Sequence, residues 1–314
     1  MLIFNKKIDL LFINFPIIFP IIYCIILYAF PSFENLLIFT TLFLLAEPHF
    51  AATFPIFFNR INKDYIIKKR LSLIYGSILI VIFSITGFFY FRDLFLIIFY
   101  FFNVFHVTRQ SVGISNLYKK NEIDFIFQSN IIYFYNILFL TIGYLRFYSQ
   151  SLNIDILNLN LIVISSIVLV VFIFSFISKS LKSTLTMLTG ILIFYPVCFV
   201  ENPVHVILMG VTMHYSQYLF ITHKVDKGRN KFDQINVKDS ISNFFKSKYF
   251  IFILIYAFFM TLFSLIGKSI SENLFFLILI PITGQMLHFY IDSFIWRFSD
   301  EHNRNVTLKH LLNR

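Results

Sequence analysis

The chain has 314 residues, 58% hydrophobic and only 13% charged. Soluble domains carry roughly 25% charged residues, so a water-covered globular fold is excluded. The formal net charge of +10 fits basic loops lying beside anionic lipid, and it gives no reason to invoke a nucleic-acid partner.

Apolar runs of membrane-crossing length, about twenty residues each, recur throughout. In chain order they are 8–30, 36–58, 72–91, 94–117, 127–149, 159–178, 183–200, 203–222, 249–267 and 273–296. The expected fold class is all-α: a polytopic integral membrane bundle of about ten helices, forming one domain over 1–314. The first run follows Lys6 and Lys7 like a signal peptide, but it is too long and lacks a small-residue cleavage site, so it is read as a membrane helix. Cys24 and Cys198 lie inside apolar runs and form neither a metal spacing nor a disulfide framework.

The connections differ in charge. Stretch 59–71 holds Arg60, Lys63, Lys68, Lys69 and Arg70 against Asp64. Stretch 223–248 holds Lys224, Lys227, Arg229, Lys231, Lys238, Lys246 and Lys248, and the tail after Trp296 is also basic. The alternate connections are short and poorer in Lys and Arg. Positive charge marks the cytoplasmic side, which predicts an even helix count, both termini cytoplasmic and a bacterial inner-membrane type of location. No internal repeat stands out, nor a Gly/Pro-broken helix pair of the transporter kind.

Four runs are interrupted by groups that hydrocarbon cannot satisfy. The second holds Glu47-Pro48-His49. The fourth holds Asn103, His106, Arg109 and Gln110. The eighth holds His214, Tyr215, Gln217 and Tyr218. The tenth holds Gln285, His288 and Asp292. Spacings of three, four and seven residues place Asn103, His106 and Gln110 on one helix face, His214 with Gln217 and Tyr218 on another, and Gln285, His288 and Asp292 on a third. Each stripe must face the protein interior.

Counted from the outer helix ends, His49, His106, His214 and His288 fall within roughly 8 Å of one height. Four neutral imidazoles at one level suit iron, copper, zinc or nickel. An all-His or His-plus-carboxylate set with open positions fits non-haem Fe(II) that activates O₂. Asp292 and Glu47 are candidate ligands or orienting groups. Arg109 is expected to pair with Glu47 or Asp292, since a lone buried charge is unfavourable. Tyr215, Tyr218 and Tyr290 are candidate wall or hydrogen-bonding residues. His205, His223, His302 and His310 are read as interfacial or solvated. Two other classes fit the same stripes: a proton- or ion-coupled transporter using the His/Glu/Asp/Arg cluster, and a structural subunit whose polar groups hold helices together.

Four short stretches, in order, resemble the Brp/Blh family of membrane β-carotene 15,15′-dioxygenases. "EPHFAAT" (Glu47–Thr53) resembles that family's Pro-His motif, and "NVFHVTRQ" (Asn103–Gln110) its second histidine helix. "TMHYSQYL" (Thr212–Leu219) resembles a helix that carries two histidines four apart. "LHFYIDSFIWR" (Leu287–Arg297) resembles a late helix with a histidine, an acid and an aromatic-basic end. The resemblance implies His49, His106 and His214 as iron ligands. Phe50 and Thr53 stand where the family has Gly and Asp, and Tyr218 replaces the second histidine of the pair, so His288 is taken as the fourth ligand. The activity implied is O₂-dependent cleavage of a carotenoid to retinal. The partners implied are a lipid-soluble substrate and membrane lipid.

Overall fold

The computed structural model describes residues 3–119, 121–148, 155–233, 249–269 and 272–312. Among these the chain is helical, with no strand. Seven helices are long and apolar enough to cross a membrane: Pro31–Phe57, Arg70–Tyr90, Arg92–Tyr118, Glu122–Phe147, Ile156–Ser178, Tyr249–Gly267 and Leu274–Ile295. The protein is thus an all-α integral membrane protein, with seven such spans among the described residues, or eight if the bent pair Lys6–Asn14 and Ile18–Ala29 is one span, against the ten read from apolar runs.

Each difference has a local cause. The expected helix 8–30 is a pair, Lys6–Asn14 and Ile18–Ala29, bent by 53°. Pro16 sits in the break, where its ring removes a backbone donor and disfavours helix in the residue before it. Side chains meet the carbonyls freed there: Gln217 Nε2 donates to Ile13 O at 2.6 Å, and Thr189 Oγ1 donates to Asn14 O at 2.6 Å. The expected helix 183–200 is Leu181–Leu192, twelve residues or about 18 Å, which is short of a bilayer core. A 3₁₀ turn, Tyr195–Cys198, follows it on Pro196. The expected helix 203–222 runs on as Pro203–Asp233, 31 residues. It is long enough but too polar to count as a lipid-facing span, and every side chain from 208 to 218 is buried.

Two compact units divide the residues. The first comprises Met1–Ile38 and Val104–Gln217; the second comprises Phe39–Asn103 and Tyr218–Arg314. In the first unit, two polar residues of helix Glu122–Phe147 turn inward: Asn136 Nδ2 donates to Gly190 O at 3.2 Å, and Arg146 donates to Val197 O. Gly210 lies against the Ile193 carbonyl, so that a Cβ there would overlap it. His205, read as interfacial, is buried: Nδ1 meets the Tyr23 hydroxyl at 2.8 Å and Nε2 meets Glu34 Oε1 at 2.7 Å.

In the second unit, helices Glu47–Phe57, Tyr249–Ser269 and Leu279–Ile295 pack against one another. The first follows a wide π turn, Leu42–Ala46. Pro48 lacks the N–H that would bond to Leu44 O, and its ring crowds that carbonyl; the wider turn relieves both. The tail after Trp296 folds back here instead of trailing in solvent. Arg229, expected in a solvated basic loop, is 1% exposed. It donates to Val306 O (2.9 Å), Ile56 O (2.8 Å) and Thr307 Oγ1 (2.8 Å). His302 stacks on Tyr65 and meets Asn62 Oδ1 at 3.0 Å. The remainder of the expected basic loop, 234–248 with Lys238, Lys246 and Lys248, lies outside the described residues, as does the Lys231 side chain.

Candidate metal centre

In the second unit, helix Glu47–Phe57 carries His49 and Thr53 four residues apart, so both leave one face. Helix Leu279–Ile295 carries His288 and Asp292 at the same spacing, and Trp296 one turn on. Tyr218 joins them. His49 and His288 lie 4.6 Å apart between ring centroids, and His49 and Tyr218 lie 4.5 Å apart. All of these except Trp296 are buried.

Thr53 is the hub. Its Oγ1 lies 2.6 Å from the Tyr218 hydroxyl, 2.6 Å from His288 Nδ1 and 2.7 Å from Asp292 Oδ1. Tyr218 also donates to Asp292 Oδ1 at 2.7 Å, and Trp296 Nε1 donates to the Tyr218 hydroxyl at 3.3 Å. The hydrogens can be counted. Asp292 accepts from both hydroxyls, so neither hydrogen is left for His288. With Asp292 ionised, the contact to Thr53 is one that Nδ1–H of the imidazole can supply, while Nε2 stands 3.6 Å from Asp292 Oδ2. Hydrogen bonds of this kind fix both tautomer and ring orientation in metal-ligating histidines. The aromatic rings of Phe50 (5.2 Å) and Phe289 (5.7 Å) wall His288.

In the first unit, His106 from helix Arg92–Tyr118 and His214 from helix Pro203–Asp233 lie 6.2 Å apart between centroids, at 87°. Both are buried. Each unit thus brings together two of the four histidines picked out by the stripes. His49, His106, His214, His288 and Asp292 all belong to buried groupings that could hold a metal ion.

Other candidates fall elsewhere. Arg109, from the first unit, is exposed. Three residues from His106, it is turned about 60° off that face, and the long side chain can reach outward. Glu47 is buried, but it is two residues from His49 and so about 200° round the helix; its polar neighbours are Gln285 and Tyr256. Tyr290 does not join the His288 network: its hydroxyl donates to Ser72 O at 2.7 Å. Thr53 was not among the sequence candidates as a functional group. Its one signal was the four-residue spacing from His49.

No protein-family model matches the chain, nor does any curated protein or solved structure. Fold and site together define a class: an integral membrane helical protein with buried histidine and aspartate groupings able to take a metal.

Proposed function

We propose that the protein is a membrane-embedded non-haem iron oxygenase acting on a lipid-soluble substrate, with oxidative cleavage of a carotenoid to retinal as the reaction. The observation that carries the reading is the Thr53–His288–Asp292 network. An imidazole held in one tautomer, with a carboxylate behind it and aromatic rings around it, is what a metal ligand needs and what simple helix packing does not require. The donor set also fits: neutral imidazoles with one carboxylate and no thiolate suit iron.

The proposed metal ligands are His106 and His214 in the first unit and His49 and His288 in the second. Bound there, iron would supply O₂ activation. The chain's own residues do the rest. Thr53 and Asp292 hold the His288 proton on Nδ1. Tyr218 supports Asp292 and is itself held by Trp296. Phe50 and Phe289 exclude water from His288. The basic connection 59–71 and the basic tail support cytoplasmic termini in a membrane of the bacterial inner type.

The test is metal analysis of the purified protein. Iron stoichiometric with the chain is expected, lost in both His49→Ala and His106→Ala. Sub-stoichiometric iron in the wild type, unchanged by His106→Ala, would sink the reading.

A further inference from the structure

The rings that border His49 and His288 differ in chemistry. Phe50 stands 4.8 Å from His49 and 5.2 Å from His288, and Phe289 stands 5.7 Å from His288. Tyr218 stands 4.5 Å from His49 and 5.5 Å from His288. A plain benzene ring resists one-electron oxidation, whereas a phenol yields once its proton has somewhere to go. Of these three rings Tyr218 alone is a phenol, and its hydroxyl already donates to Asp292 Oδ1 at 2.7 Å. The same phenol touches the chain's single tryptophan. Trp296 Nε1 donates to the Tyr218 hydroxyl at 3.3 Å, with the rings 5.8 Å apart at 73°.

Trp296 closes the C-terminal end of helix Leu279–Ile295. It is half-buried, and the exposed Arg297 follows it. An indole at the end of a membrane helix belongs to the interface with water. Two ring-to-ring steps therefore join the buried imidazoles to the protein's edge. They pass through the two kinds of side chain that give up one electron most readily among the aromatics. Packing alone would be met by phenylalanine, of which the chain has 45; its one tryptophan stands here.

We propose that Tyr218 and Trp296 form an electron relay that drains a stray oxidising equivalent from the metal centre to the membrane surface. This rests on the reading above that the imidazoles hold an O₂-activating metal. The steps balance. With the oxidised centre empty of substrate, Tyr218 gives it one electron and passes the phenolic proton to Asp292 Oδ1. The tyrosyl radical then takes one electron from Trp296 and recovers its proton from Asp292, so the O–H bond breaks and re-forms. The indole radical cation keeps its Nε1–H and is refilled by a one-electron reductant of the ascorbate or thiol class at the surface. The net change is one electron moved from that reductant to the centre. Phenol and indole lie close in ease of oxidation, so the radical passes either way and is drawn off where a reductant waits.

Radical spectroscopy tests the relay without turnover. Purified full-length protein in lipid nanodiscs, carrying ferrous iron and no polyene, is mixed with hydrogen peroxide, frozen and read by electron paramagnetic resonance. Ring-deuterated tyrosine assigns the signal. Wild type gives a tyrosyl radical that ascorbate removes. Tyr218→Phe loses the radical, and Trp296→Phe keeps it but loses the quenching by ascorbate. Iron-loaded wild type without a tyrosyl radical overturns the relay. So does a radical that survives Tyr218→Phe, or one quenched equally well in Trp296→Phe. A metal-free arm separates the relay from the metal reading. A flash with a water-soluble ruthenium photo-oxidant makes the indole radical of the one tryptophan; it decays promptly in wild type, refilled from Tyr218, and persists in Tyr218→Phe. Equal lifetimes overturn the relay whether or not iron binds. A lifetime difference in protein that takes up no iron overturns the metal reading and, with it, the relay's service to a metal centre. Circular dichroism checks that the variants fold; where Tyr218→Phe does not, Trp296→Phe in the peroxide arm decides.

Discussion

Replacing Thr53 by valine keeps the shape of the side chain and removes the oxygen on which three contacts converge. His288 Nδ1–H then has no acceptor at that point, and Asp292 Oδ1 loses one of its two hydroxyl donors. Each buried polar group deprived of a partner costs roughly 1–3 kcal/mol. Tyr218 still serves Asp292, so a total of about 2–4 kcal/mol is expected for the site. The consequence for a bound metal is separate. An imidazole free to rotate or to switch tautomer loses roughly 10–100-fold in metal affinity. Competition with a chelator measures that affinity, and thermal unfolding followed by circular dichroism measures stability. Thr53→Ser returns the hydroxyl and should restore most of both. Wild-type metal affinity in Thr53→Val would refute the claim that this hydroxyl orients a ligand. A loss that serine does not rescue would reduce Thr53 to packing.

Three further outcomes are expected. Arg229→Met removes three hydrogen bonds that tie the end of helix Glu47–Phe57 to the Val306 carbonyl and the Thr307 hydroxyl; the tail should become sensitive to limited proteolysis, with about 3 kcal/mol lost on unfolding. Gly210→Ala drives a methyl into the Ile193 carbonyl and should cut the yield of folded protein sharply, read by size-exclusion profile, as backbone against backbone has no flexible side chain to yield. His302, in the tail, has its pKa lowered from 6.5, chiefly by burial and then by Arg229, against the opposing pull of Asp300 and Asp64. The neutral ring is thus the one the fold prefers. Above pH 6.5 both folded and unfolded chains hold it neutral and no penalty arises; as pH falls below 6.5 the unfolded chain takes the proton first and stability drops. Proteolysis of the tail should accelerate on acidification, and His302→Gln should flatten that dependence.

The histidines were legible because an ionisable group inside an apolar run has few reasons to be there. Helical spacing then predicted the pairing of His288 with Asp292, whose Nε2 and Oδ2 stand 3.6 Å apart. Thr53 was not legible. A threonine in a membrane helix is commonplace, and its importance comes from two other helices meeting it. The direction of Glu47 was hidden for a related reason. Two residues along a strand would keep it beside His49, whereas on a helix they send it to the far side. Helix length was the least readable quantity. Polar letters after residue 222 look like a loop, yet the backbone there stays helical and buries Arg229. At the other end an unbroken apolar run concealed the bend at Pro16.

The chain contains a single tryptophan, and Trp296 bonds to the Tyr218 hydroxyl with the rings 5.8 Å apart. That makes the protein its own indicator. Red-edge excitation addresses one indole, whose emission senses the hydroxyl next to Asp292. Loading of a paramagnetic ion, entry of a polyene that absorbs the emitted light, or loss of Thr53 would each alter that signal in unlabelled protein. Occupancy could then be followed in real time, in the membrane, with no introduced probe.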